Sequence, residues 1–433
     1  SVKSFRTDPG MMRTVSTLCS VILLVSGGGV GAQEMRMSDS LSMASLAPQF
    51  FAGASGILVG TRVSPGINNR DLTEGYLSQP MLMGEALFPR YWLELSGTID
   101  LEGLTLKRGE LNPGIYGEGY IDRRHPHTYL HEIVATWKRE PSTGSAISVT
   151  GGKGFAPFGT DDPMSRPFVT YPVNHHLAQI LERAIVVGAA RAGPISLELS
   201  RFNGDEPQSP TDLPNSNRLF DSWSGRVTGR FWTGSEMQAS FASVISPEVA
   251  VGGGLNQKKW SASGRYEREM LYGLAEFAET REYEAGREAF SFNTMLAEAS
   301  LTGKSGVIAV RAERTERPEE DRLANLFRTP VPPNDLSILG RTRWTTLTAN
   351  VSHSFSTRMH STFSPFVEVA RAQAVAIDQP SVFDPKSFYG SDVIWSVSAG
   401  MRFGFGMKHA RMGRYGAALP SGAMKMGAMD MTQ

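Results

Sequence analysis

Five of the eight histidines lie in two short stretches: His125, His127 and His131, then His175 and His176. Imidazole is a borderline ligand that suits Zn2+ and Cu2+, and Glu132, Asp161 and Asp162 lie close enough in sequence to complete a coordination shell. Neither H-P-H nor H-H is a recognised ligand framework. The first reading of these residues is therefore structural, as hydrogen-bonding anchors of a folded-in connection. A metal ion is the alternative, and it is the only cofactor the chain suggests. The pairs Met35-x-Met37, Met424-x-Met426 and Met429-x-Met431 carry thioethers that suit Cu(I), although low-complexity flanks acquire such repeats without function.

Enzyme chemistry finds little support. His353 and Ser354 are neighbours on an expected strand, so their side chains face opposite ways. There is no G-x-S-x-G elbow, no H-E-x-x-H pair and no P-loop. Cys19, the only cysteine, falls inside an N-terminal apolar stretch, so the chain beyond that stretch has no thiol nucleophile, thiolate ligand or disulfide. With 43 basic and 43 acidic side chains, the net charge is zero and nothing argues for a nucleic-acid partner.

The charged residues acquire a place once the elements that carry them are considered. From Arg90 onward, hydropathy alternates with a period of two. Leu93, Leu95, Ile99 and Leu101 share one face of a strand, opposite Glu94, Ser96, Thr98 and Asp100. Trp223, Val227 and Phe231 likewise oppose Ser224, Arg226 and Arg230, and Trp260 and Tyr266 oppose Lys259 and Arg265. About fourteen such strands are expected, with 12–16 the range, near 90–104, 127–140, 145–156, 183–192, 194–203, 221–233, 235–246, 257–269, 270–282, 289–302, 305–317, 342–356, 360–374 and 391–406. Their connections alternate long and short, and aromatics gather toward strand ends, as at Trp137, Trp232, Trp344 and Phe405. Alternating loops, an even strand number and aromatic girdles are marks of an up-and-down antiparallel transmembrane β-barrel. A soluble β-sandwich also alternates, but it has no reason to alternate its loop lengths. The expected fold is all-β, a barrel over 87–406.

The flanks read differently. Residues 1–32 hold a basic start, an apolar stretch from Val15 to Val25 and a small-residue end, the pattern of a secretory signal peptide with some residues upstream of it. Residues 33–86 show no sustained period and read as a periplasmic extension or partial plug. Residues 407–433, rich in Gly and Met, read as a flexible periplasmic tail.

The stretch Gly152-Lys153-Gly154-Phe155-Ala156-Pro157-Phe158-Gly159, followed after a long loop by Glu182-Arg183-Ala184, resembles the phosphate-selective porin O and P family. Members often carry a G-K-x-x-x-P-F-G-like strand end and an E-R-A-like strand start. The resemblance implies an outer-membrane barrel through whose lumen solutes diffuse. It also implies insertion by the barrel-assembly machinery, which reads an aromatic-ended last strand like Phe403-Gly404-Phe405. The 157–182 loop would narrow the lumen with Asp161, Asp162, Arg166, His175, His176 and Glu182, a mixed set where phosphate-selective members are expected to be basic.

Pore-lining candidates are Arg226, Arg230, Lys259, Arg265, Glu94, Asp100 and Glu276. Both signs occur, so a weakly selective channel for small hydrophilic solutes or ions is expected. Its partners would be outer-membrane lipids, those solutes and, in a homotrimer, other copies of the chain. The alternative is a plugged barrel that handles Cu or Zn through His125, His127, His131, His175 and His176, or that binds at the cell surface.

Overall fold

A strand with lipid on one side and protein on the other must present apolar side chains outward and can keep polar ones inward, while its backbone has to be paired along both edges. The computed structural model meets both demands. It describes residues 47–65, 71–89, 92–105, 127–142, 144–160, 166–207, 209–304, 306–320, 338–357, 361–378, 384–406 and 412–419. The signal-peptide reading of 1–32, Cys19, the three methionine pairs, His125, Asp161 and Asp162 lie outside these residues.

The strands are β1 (Gln49–Ser64), β2 (Leu72–Leu87), β3 (Leu93–Asp100), β4 (Leu130–Ser142), β5 (Ser145–Gly154), β6 (Arg183–Ala192), β7 (Ile195–Phe202), β8 (Ser222–Gly229) and β9 (Ser235–Val244). They continue as β10 (Asn256–Arg268), β11 (Leu271–Glu284), β12 (Arg287–Gly303), β13 (Gly306–Glu320), β14 (Ile338–Ser352), β15 (Phe355–Ser356), β16 (Ser361–Ala376) and β17 (Val393–Gly406). Among the described residues, three one-turn helices, α1 (Glu102–Thr105), α2 (His175–Ala178) and α3 (Pro385–Tyr389), sit in connections. Every pairing is antiparallel, and β17 returns to β1, with Gly53 opposite Gly406 and Ser64 opposite Trp395. The sheet therefore has no open edge. The two-residue β15 pairs only with β16 and stands outside the closed ring of sixteen.

All fourteen expected strands are present, as β3–β14, β16 and β17, and the count was short by the two that precede them. The expected extension over 33–86 is corrected accordingly: 49–64 and 72–87 are barrel wall. Their period was hidden because both faces are apolar. Leu58 and Leu82 face outward, while Ile57, Val59 and Tyr76 face inward and are buried against Val169, Tyr171 and Phe366. An inner wall covered by protein has no need of polar side chains.

The outer surface carries Leu95, Ile99, Ile133, Val149, Leu197, Leu199, Val227, Met237, Ile308, Val310, Leu347, Val351, Val367 and Val397, all exposed. On this outer surface Trp92, Trp137, Trp223, Trp232 and Trp395 are exposed too. Trp344, expected among the girdle aromatics, instead faces inward, fully buried beneath Arg317. A second correction concerns the tail. Residues 412–418, within the segment read as periplasmic, are buried inside the barrel.

Candidate functional site

The site is the barrel interior, and the G-K-G-F-A-P-F-G stretch explains how it is filled. Lys153, at the end of β5, reaches Glu182 Oε2 at 3.1 Å, so the two ends of the long 155–182 connection are clasped together. Phe155 then turns inward: its amide donates to the Tyr415 hydroxyl and its ring meets His131 edge-on. Gly159 has φ +68, and a Cβ there would stand 1.6 Å from the Ala178 carbonyl oxygen on the returning arm. Only glycine permits that crossing.

The described loop residues 159–160 and 166–174 lie on the inner wall, tied to several strands. The Gly159 amide donates to Ser240 on β9, and Asn174 donates to Glu276 on β11. The Val173 amide donates to Glu313 on β13, and the Val169 and Thr170 amides donate to Glu368 on β16. Arg402 on β17 donates to the Phe168 carbonyl, and Arg311 donates to that of Thr170. The backbone groups of an irregular segment need partners wherever water is scarce, and here wall carboxylates and arginines provide them.

The described C-terminal residues, 412–419, cover another part of the inner wall. Gly416–Ala418 form a single 3-10 turn packed against β4 to β7. The Tyr415 hydroxyl donates to Glu132 at 2.7 Å, and burial together with that carboxylate pushes the phenol well above its usual range. Arg226 and Arg230 donate to the carbonyls of Gly413 and Ala418.

These contacts place the expected pore-lining residues. Arg226, Arg230, Lys259, Arg265, Glu94, Asp100 and Glu276 all point inward, but most are covered by chain and paired. Arg226 meets Glu198 through two bonds of 2.6 and 2.7 Å. Arg414 bridges Glu198 and Glu236, and Glu236 also pairs with Arg230 at 2.9 Å. Lys259 lies over the Phe158 ring, and Arg265 pairs with Glu267 and lies over the Tyr272 ring. Glu276 faces Thr160, Asn174 and, at 3.7 Å, Arg166. Arg166 itself is buried between Glu276 and Glu298. Glu94 is half-buried on the inner wall of β3. Sequence reasoning missed Glu368, Glu313, Arg311, Arg402, Arg414 and Tyr415, which hold the two inner segments. No spacing signal marks them, because their partners lie 140 or more residues away.

The histidines separate. His127 and His131 stack with ring centroids 5.1 Å apart, beside Asp100 and Glu182. His175 and His176 belong to α2, which packs by β11 and β12, on another wall. His131 Nδ1 stands 2.6 Å from Glu182 Oε1, and Glu182 also accepts from the Thr128 amide and hydroxyl. Burial would raise the Glu182 carboxyl, but His131, Lys153 and His127 hold it well below the usual carboxylate range. Glu102, at the start of α1, is pushed well above that range by burial and by Asp100.

No protein-family model and no curated protein matches the sequence. Among solved structures, the anion-selective porin from Comamonas acidovorans is similar over 83% of this chain and 99% of its own, at 11% identity and a TM-score of 0.48. OmpT of Vibrio cholerae, in a trimer form, is similar over 83% and 99%, at 9% identity and a TM-score of 0.48. OmpF of Salmonella typhi, in complex with daunomycin, is similar over 83% and 97%, at 10% identity and a TM-score of 0.48. The class of this chain follows from its own geometry. A closed antiparallel barrel, apolar outside and polar within, is an outer-membrane β-barrel.

Proposed function

We propose that the chain is an outer-membrane channel for small hydrophilic solutes or ions, with weak selectivity, whose lumen is narrowed from two directions. The observation that carries this reading is that the described residues of the 155–182 loop, 155–160 and 166–182, lie inside the barrel and are bonded to β9, β11, β13, β16 and β17. A surface lid would need no such attachment to the wall, whereas a fixed constriction does. Weak selectivity is supported by the pairing of charges: among the described residues the inner arginines and carboxylates pair with one another, so these present no ring of one sign. The Gly152–Gly159 stretch builds the clasp and turn that set the loop inside, and the mixed wall does not favour phosphate over other anions.

Planar-bilayer recording of the purified, refolded protein tests the proposal. Steady ohmic openings with a permeability ratio near one between K+ and Cl− are expected. Silence under all applied potentials would sink it and favour a plugged barrel, a reading supported by the buried segment 412–418.

A further inference from the structure

We infer that Asp100, His127 and His131 form a binding site for a single divalent transition-metal ion of the Zn2+ or Cu2+ class, a property independent of whether the barrel conducts. One ligand atom from each of the three lies within 4.8 Å of those of the other two, and all three side chains are buried. Two imidazoles and a carboxylate are a nitrogen–oxygen set that favours Zn2+ and Cu2+ over the hard cations Mg2+ and Ca2+. Three protein ligands with a fourth position for water or a further group is the count of open Zn2+ sites.

Glu182 supplies the second, independent observation. His131 Nδ1 stands 2.6 Å from Glu182 Oε1, and a hydrogen on that nitrogen would leave Nε2 as the ring's ligating atom. A carboxylate behind a ligating histidine is the usual outer-shell partner of a metal site, because it fixes the tautomer and turns the ring. Glu182 is itself over-determined for that task. It accepts from the Thr128 amide at 2.9 Å, the Thr128 hydroxyl at 2.7 Å and Lys153 Nζ at 3.1 Å. Its backbone sits at φ +55, a left-handed conformation that a residue with a side chain adopts only when its surroundings insist.

The surrounding charge agrees with a cation. Asp100, Glu132 and Glu182 are buried together, with Lys153 as the lysine among them. Glu182 also lines a cavity of about 80 Å3 whose wall includes Asp205, Glu206 and Asp212, further acidic groups beside it. An ion here would join the end of β3 to the start of β4 and, through Glu182, to the returning arm of the inner loop.

The test uses the full chain in detergent, stripped with a chelator and then equilibrated separately with Zn2+, Cu2+ and Mg2+ before gel filtration and metal analysis. One equivalent of Zn2+ or Cu2+ per chain and no Mg2+ are expected. Asp100→Asn and His127→Gln should each abolish retention, Glu182→Gln should weaken affinity about 10- to 100-fold, and His353→Gln should leave it unchanged. Heat-modifiable migration on gels reports that each variant is folded. Should a variant fail to fold, Co2+ on the unaltered chain gives a second reading, since nitrogen ligation produces visible d–d bands. Absence of retained Zn2+ and Cu2+, absence of those bands, or retention unchanged in folded Asp100→Asn and His127→Gln would overturn the site.

Discussion

Inside this barrel single charged residues act as fasteners. Arg226 is tied to Glu198 by two short bonds and also caps the carbonyls of Gly159 and Gly413, so it joins wall, loop and C-terminal segment at one point. Removing one partner of a buried pair leaves the other uncompensated, at a cost of about 3–5 kcal/mol. Arg414, 3.6 Å from Glu198, offsets part of this, so Arg226→Ala should lower stability by up to that amount in denaturant unfolding, and Arg226→Met with Glu198→Leu should recover most of it. Tyr415 makes the interior sensitive to alkali. Its phenol is raised above the ordinary value of 10.0 because burial and Glu132 disfavour the phenolate. A raised group contributes fully below its unfolded value, and the contribution fades as pH climbs beyond that value toward the folded one. The segment around Tyr415 should therefore become open to protease cleavage above about pH 10. In Tyr415→Phe the segment should be looser at neutral pH, by about 1 kcal/mol for one lost hydrogen bond, and the alkaline step should vanish.

The inner loop is an element with almost no regular structure of its own, so its shape depends on what the wall offers. Glu368 is the clearest case: it accepts the Val169 and Thr170 amides, the Thr170 hydroxyl and the Asn350 side chain. Glu368→Gln replaces acceptor oxygens with a competing donor, and hydrogen bonds to a charged group contribute about 1.5–3 kcal/mol each. Amide exchange at Val169 and Thr170 should accelerate at least tenfold, while the β16 amides, paired in the ladder, should keep their protection. Unchanged exchange would mean that apolar packing of Val169 and Tyr171 on Ile57, Val59 and Tyr76 holds the loop unaided. That packing also explains why β1 and β2 were illegible. Where the wall is covered by lipid on one side and by an apolar loop on the other, alternation carries no contrast, whereas on β7 to β9 the polar inner face made it plain.

For the whole molecule, zero net charge and modest hydropathy describe a division of surfaces rather than a soluble protein: apolar side chains face lipid and charges face one another within. The interior is filled from two sides, by the loop on β9 to β17 and by 412–419 on β4 to β9. Deleting residues 412–433 removes the second filling and uncovers Arg226, Arg230 and Glu236. Single-channel conductance should rise at least twofold in the deleted chain, with the barrel still heat-modifiable. An unchanged trace would mean that solutes pass only on the loop side.

By itself the sequence determined the class of fold, because lipid outside and polar chain inside impose a period of two that survives in fourteen of the sixteen wall strands. It also marked the strand end at Gly152–Gly159, where glycine and proline leave the backbone few choices. What occupies the lumen was decided only by tertiary structure. The pairs Tyr415–Glu132, Val173–Glu313 and Val169–Glu368 join residues 140 to 283 positions apart, through hydrogen bonds that obey no local period. The meeting of Asp100 with His127 and His131 arises in the same way, because strand pairing around a closed ring brings one strand's end against its neighbour's beginning.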